Sequence, residues 1–215
     1  MMAKRARVLL VDDHSMVREG LRRVLEDSGG IEVIGEASDG LEAIQKTDKL
    51  KPDVLVIDLS MAGMGGLEAV GRIRAMAPET KILILTMHDN VQYAVHGLQS
   101  GANGFVLKQA AASELVKAVQ AVQAGKTYTA ETIAERLMAR YTKPRGRPPL
   151  LDSLSEREFE VFVLLGGGCS VREAAKRMGL SERTVSTYRA RLLAKLQLRN
   201  NAELIRLALE SGLVK

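Results

Sequence analysis

Residues Val54 to Ile57 set four apolar side chains in succession and end on a carboxylate, Asp58. An unbroken Val-Leu-Val-Ile run leaves no polar face, so it suits a strand covered on both sides, as in the middle of a parallel sheet. Asp58 then stands at the carboxyl end of that strand, the edge where loops diverge and open α/β sheets bind ligands. A lone Asp there could simply cap the next turn. A second strand of the same kind, Arg7 to Val11, ends in Asp12-Asp13, so three carboxylates are expected to share one edge.

The pattern repeats along residues 1–125. His14 to Asp27 carries Met16, Val17, Leu21, Val24 and Leu25 at helical spacing, opposite Arg18, Glu19, Arg22 and Arg23. Gly29-Gly30 breaks that helix, a second strand runs from Ile31 to about Ala37, and Asp39 with Glu42 resembles a capping box for a helix to about Leu50. Helices are then expected at Leu67–Met76, Val91–Gln99 and 111–124, with strands at Lys81–Thr86 and Gly104–Lys108. Five β/α units imply a five-stranded doubly wound parallel sheet with right-handed crossovers. In the order 2-1-3-4-5, strands 1 and 3 flank the switch point, where Asp12, Asp13 and Asp58 converge.

Carboxylates held so close repel one another unless one is protonated or a cation sits among them. Oxygen-only donors with no His or Cys expected nearby point to Mg²⁺, which usually completes its shell with water and a substrate phosphate. The other strand ends supply a hydroxyl, Thr86, and a positive charge, Lys108, both suited to phosphate oxygens.

These residues, with these gaps, resemble the receiver domain of two-component response regulators, a flavodoxin-like fold. The resemblance implies that Asp58 accepts a phosphoryl group from a phosphohistidine on a sensor histidine kinase or phosphotransfer protein. It further implies that Asp13, Asp58 and the backbone carbonyl of Ser60 bind Mg²⁺, with Asp12 acting directly or through water, and that Lys108 pairs with the phosphoryl oxygens. Thr86 and Phe105 would be the switch pair, the hydroxyl moving toward the phosphate and the ring turning inward behind it. Two positions depart from the family pattern: Met61-Ala62-Gly63 replaces Met-Pro-Gly, and Gly65 stands where an acid or amide is usual. Neither removes a reacting group.

Charge separates the rest of the chain. Residues 1–125 hold 14 Lys and Arg against 16 Asp and Glu, net −2, while 126–215 hold 17 against 10, net +7. A basic half beside a neutral one suggests a polyanion partner for the former. Residues 126–150 read as a helix, Thr129 to Arg140 with Ile133, Leu137 and Met138 on one face, followed by a Pro- and Arg-rich tether in which Arg145-Gly146-Arg147 could touch a minor groove. In 151–215, Ser155 with Glu158 and Ser170 with Glu173 form capping boxes, Gly179 turns the chain, and Ser181 caps a helix from Glu182 to about Leu196. That is a helix-turn-helix. Val185, Tyr188, Leu192, Leu193 and Leu196 give its last helix an apolar stripe. Small polar groups and cations, Ser186, Thr187, Ala190 and Arg191 with Arg189 and Lys195 to the sides, suit a major groove.

Leu154-Ser155-x-Arg157-Glu158, Thr184-Val185-Ser186-Thr187-Tyr188 and Lys195-Leu196 resemble the LuxR-type DNA-binding domain. That resemblance implies that Thr184 to Arg191 enter the groove of double-stranded DNA and that the fourth helix, through Ala202, Ile205 and Leu209, pairs two copies. Both halves together resemble a NarL/FixJ-type response regulator: a transcription factor, not an enzyme, that forms a homodimer on activation and leaves RNA polymerase open as a further partner. The unphosphorylated receiver is expected to cover the third helix of the DNA-binding domain. A Mg²⁺-dependent phosphohydrolase is the rival reading, but such enzymes carry a second acid two residues after the nucleophile, where this chain has Ser60. A single cysteine, Cys169, fits a reducing cytoplasm, and no stretch reads as a membrane span or signal peptide.

Overall fold

The computed structural model describes residues 5–61, 63–110, 112–142 and 150–214, so the Arg145-Gly146-Arg147 reading lies outside the described residues. The first half alternates β1 (Ala6–Val11), α1 (Ser15–Asp27), β2 (Ile31–Ala37), α2 (Gly40–Leu50), β3 (Val54–Ile57), α3 (Gly66–Met76), β4 (Lys81–Thr86), α4 (Val91–Gln99), β5 (Gly104–Leu107) and α5 (Ala112–Gln123). The strands are parallel in the order β2-β1-β3-β4-β5, and a sixth, β6 (Tyr128–Thr129), adds to the edge of β5. Five strands were predicted; the extra pair is only two residues long and carries no periodic signal. It forms because the backbone of Tyr128 and Ala130 donates to the carbonyls of Asn103 and Phe105 at 3.2 Å each.

The two faces of the sheet have separate cores. Val8, Leu10, Val54, Val56, Leu83, Leu85 and Val106 point to α1 and α5, where they meet Leu25, Leu115, Val119 and Val122. Leu9, Leu55, Ile57, Ile82, Ile84 and Phe105 point to the side of α2, α3 and α4. On that second side the apolar layer does not stop at the receiver. It continues into the C-terminal helices through Phe159, Phe162 and Leu165.

Those helices are α6 (Glu131–Thr142), a 3-10 turn at Leu150–Ser153, α7 (Glu156–Gly166), α8 (Val171–Met178), α9 (Glu182–Leu196) and α10 (Asn201–Glu210). Both capping boxes form as the spacing predicts. Glu158 and Glu173 carboxylates accept from the backbone of Ser155 and Ser170 at 2.8 Å, and the serine hydroxyls accept in return. Gly179 closes α8 in the left-handed conformation at φ 64°, which suits a residue without Cβ. The Asp39 cap is half of the expected box: Asp39 accepts from Glu42 N at 2.8 Å, but the Glu42 carboxylate turns to Ser38 N instead, at 2.7 Å. On α6, Ile133 is buried and Leu137 half-buried, whereas Met138, expected on the same face, is 64 % exposed. Among the described residues no helix is long and apolar enough to cross a membrane.

Leu25 is the buried residue of α1 and anchors it to the sheet. Leu25→Ala is expected to lower stability by about 2–5 kcal/mol through lost burial and the cavity left behind, measured as a shift in the urea midpoint.

Candidate functional site

The parallel register brings the carboxyl ends of β1, β3, β4 and β5 to one edge. The backbone N–H of Asp58 donates to the Val11 carbonyl at 2.9 Å, locking the end of β3 beside that of β1. Asp12 and Asp58 are only 1 % and 2 % exposed. Lys108, just past β5, reaches both: its Nζ lies 2.6 Å from Asp12 Oδ2 and 2.8 Å from Asp58 Oδ2. Burial alone would lower the lysine's pKa, but hydrogen bonds and charge from the two carboxylates outweigh it and hold the pKa above 10.5.

Asp58 Oδ1 is buried and has no hydrogen-bond partner. Asp13 lies at the more open side of the cluster, where His14 Nδ1 approaches its Oδ1 at 2.7 Å; ligand atoms of Asp12, Asp13 and His14 lie within 4.8 Å of one another. An orphaned buried carboxylate oxygen next to further acidic oxygens fits a hard divalent cation. Thr86 is fully buried at the end of β4, and its Oγ1 accepts from His88 N at 3.2 Å. Phe105 is likewise fully buried, its ring already inside the layer that holds Ile84 and Tyr93. Ser60 is exposed, with Oγ 3.0 Å from His88 Nε2. The structure therefore brings Asp12, Asp58 and Lys108 into direct contact, with Asp13, Ser60 and Thr86 around them.

Ser60 and Asp13 line a cleft of about 430 Å³ whose opposite wall is the C-terminal helical domain, with Phe159, Glu160, Arg177 and Met178. Beside the cleft the two halves are bonded directly. Gly63 N donates to the Arg177 carbonyl at 2.9 Å, Asn90 Nδ2 donates to the Ser211 carbonyl at 2.9 Å, and Arg157 bridges Glu68 of α3 and Glu160 of its own helix. A Cβ at Gly65 would lie 1.9 Å from Glu160 Oε1, so the absence of a side chain at position 65 leaves room for the Glu160 carboxylate as it is placed here. Burial raises the pKa of Glu160, only partly offset by Arg157.

The receiver does not cover the third helix as expected. The face of α9 expected to meet DNA is open: Ser186, Thr187, Ala190 and Arg191 are exposed, and the α/β domain contacts α7 and α8 instead. Not every predicted contact residue is equally available. Lys195 Nζ lies 2.5 Å from Oε2 of buried Glu158, Arg189 Nε donates to Asn201 Oδ1 at 2.6 Å, and Thr184 shares its hydroxyl with the Ser181 cap at 2.8 Å. Arg183, exposed in the first turn of α9, was missed; as a cation next to the cap it was visible in the sequence. Ala202 and Leu209 lie on the outer side of α10 with Ile205 half-buried between them; Leu209 is 51 % exposed. His14 and His88 also went unread, although one follows Asp13 directly and the other lies two residues beyond Thr86.

Comparison with known proteins agrees with this geometry. Residues 8–120 match the response regulator receiver domain, and residues 152–208 match the bacterial regulatory proteins of the luxR family. The response regulator UvrY of Escherichia coli (strain K12) is 40 % identical over 206 residues, covering 96 % of this chain and 94 % of that protein. The response regulator GacA of Pseudomonas protegens is 38 % identical over 208 residues, covering 97 % of each. Among solved structures, RcsB from Salmonella enterica serovar Typhimurium bound to promoter rprA in the presence of phosphomimetic BeF3⁻ is 30 % identical, with a TM-score of 0.69 over 94 % of this chain and 98 % of that one.

Because the pKa of Lys108 is raised, its pairing stabilises the fold fully below pH 10.5 and is lost as pH climbs through the elevated value. Lys108→Ala leaves two buried carboxylates without a cation. Urea unfolding at pH 8 is expected to show a loss of about 3–5 kcal/mol.

Proposed function

This chain belongs to the two-component response regulators that join a receiver to a LuxR-type DNA-binding domain, and from that premise we propose that Asp58 is its phosphoacceptor and that phosphorylation promotes a DNA-binding homodimer. As in its relatives, the role is regulation of transcription rather than enzymatic turnover. The observation that carries the proposal is the orphaned Oδ1 of Asp58, set against Lys108 on the other oxygen. An acceptor needs one oxygen held and one free, in a wall that excludes competing water.

The donor is a phosphohistidine on a sensor kinase or phosphotransfer protein. Its P–N bond breaks as a P–O bond forms on Asp58, and the imidazole leaves. Such a transfer depends on positioning and charge stabilisation more than on proton chemistry. Asp12, Asp13, Asp58 and the Ser60 carbonyl would hold Mg²⁺, which when bound offsets charge on the phosphoryl oxygens. Lys108 moves from its carboxylate pair toward the new phosphoryl oxygens, and Thr86 donates its hydroxyl to them. Phe105 is already packed inward, so in this chain the hydroxyl is the mobile member of the switch pair.

For output, the N-terminal half of α9 enters the major groove of duplex DNA. Ser186, Thr187 and Ala190 meet base edges, but none has the bidentate reach of Arg or Asn. Affinity then rests on phosphate contacts by Arg191 and Arg183, with Arg189 and Lys195 joining only if they leave Asn201 and Glu158. Ala202, Ile205 and Leu209 on α10 supply the apolar surface that pairs two copies on adjacent half-sites. A switch of this kind requires only a few kcal/mol of difference between the two states.

Incubation with acetyl phosphate and Mg²⁺ is expected to add one phosphate to the intact mass of the wild type and none to Asp58→Asn; equal gain by both would refute the acceptor assignment. Arg191→Ala is expected to weaken binding to all duplex sequences alike and to reduce the slope of log K against log salt by about 0.9, the release of one phosphate contact.

A further inference from the structure

Asp12 and Asp13 are neighbours in the chain but are held in different ways. The Asp12 carboxylate is pinned: Lys108 Nζ lies 2.6 Å from Oδ2, and the His14 N–H donates to Oδ1 at 2.9 Å. The Asp13 carboxylate meets, among the described residues, only the exposed imidazole of His14. Its aim is therefore set by the backbone that carries it, and that backbone is tied at one carbonyl. Arg18 Nη1 donates to the Asp12 carbonyl oxygen at 2.6 Å, while Nε of the same guanidinium donates to Glu36 Oε2 at 3.1 Å. Glu36, on β2, also accepts from Arg22 Nε at 2.8 Å. Burial alone would raise the pKa of Glu36, but the two arginines outweigh it and hold the carboxyl below its usual range. By local rules Arg18 is out of place. It is the fourth residue of α1, a helix with no acid in its first turn, so the helix dipole opposes a cation there. Its side chain is also only 16 % exposed. A residue set against its local preference and withdrawn from water marks a constraint other than solubility.

We propose that Arg18 is a positioning residue for the metal site: anchored on Glu36, it holds the peptide unit between Asp12 and Asp13 so that the Asp13 carboxylate faces the cation. The proposal rests on the reading of Asp13 as a Mg²⁺ ligand. Because a peptide unit is planar, fixing the Asp12 oxygen also fixes the nitrogen and Cα of Asp13. What remains free is rotation about the bonds of Asp13 itself. The arginine fork suits this task, since one rigid group reaches a carboxylate and a carbonyl at once. Arg18 bonds to Glu36 and to the Asp12 carbonyl, and not to Asp58 or Lys108, so it acts through Asp13. A purely electrostatic role would have the opposite sign. A cation near the site repels Mg²⁺, so removing its charge alone strengthens binding, whereas removing the clamp weakens it.

Mg²⁺ titration of the full chain, followed by the amide NMR shifts of Asp58 and Leu59, tests this. Arg18→Ala is expected to weaken Mg²⁺ binding on the order of tenfold, the usual cost of losing a group that orients a metal ligand. Arg18→Lys keeps a charge for Glu36 but puts one ammonium in place of the fork, and should lose affinity as well. It decides the matter if the alanine variant shows no cooperative urea transition. Arg22→Ala strips Glu36 of its other arginine and leaves the Asp12 carbonyl held, so it should bind Mg²⁺ as the wild type does. A folded Arg18 variant that binds Mg²⁺ as tightly as the wild type, or more tightly, overturns the clamp. So does an Arg22→Ala protein that loses as much affinity as the Arg18 variants. Asp13→Asn separates the clamp from the reading beneath it. If Asp13→Asn binds Mg²⁺ as well as the wild type, Asp13 is no ligand and the clamp falls with it. If Asp13→Asn binds weakly while the Arg18 variants bind normally, the ligand reading stands and the clamp alone fails.

Discussion

Two ionised carboxylates almost sealed from solvent can share a sheet edge only if a cation stands between them, and Lys108 is that cation. Much of the receiver serves this contact. Strands β1 and β3 must be adjacent for Asp12 and Asp58 to meet, β5 must end level with them for the lysine to reach, and both sheet faces must be covered for the carboxylates to be buried. The arrangement is also incomplete: Lys108 satisfies one oxygen of Asp58 and leaves the other bare. A buried oxygen without a partner is costly, so the site favours whatever supplies positive charge or a covalent partner at that point.

The same edge is where the second domain docks, and three small changes of chemistry permit it. Gly65 yields space to Glu160, Arg157 joins the acids of two domains, and an aromatic side chain from α7 replaces solvent over α4. Buried ion pairs contribute little net stability because desolvation offsets the attraction. The ring stack and the apolar layer beneath it therefore hold the domains together, while the ions set the register. The acid cluster and the second domain face one cleft from opposite walls, so only a few side chains separate them.

Much of this was legible in the sequence because it is local. The Val54–Ile57 run, the Ser155, Ser170 and Ser181 caps and the glycine turn at 179 depend on neighbours within four residues, and each appears where periodicity and capping chemistry put it. The acid cluster was legible because chain reversal in a parallel sheet brings successive strand ends together. What escaped is long-range. Phe159 occupies an ordinary core position of an amphipathic helix, and nothing in its own helix says that its neighbours are Tyr93 and His96. Lys195 reads as a solvent-facing cation on α9 until Glu158, 37 residues earlier, proves to hold it. Gly65 reads as a lost acid, and only the packed structure shows the missing atoms to be the site of another side chain. The strand at Tyr128 is too short to leave a pattern.

The apolar layer that passes from the sheet through α4 into α7 joins receiver and DNA-binding module into one continuous core. Separating them uncovers greasy surface that water penalises. A chain whose halves came apart would be the looser, less heat-resistant form until something else covered that surface. Such an opening would carry its own restoring force, because hydrophobic attraction would draw the halves back together.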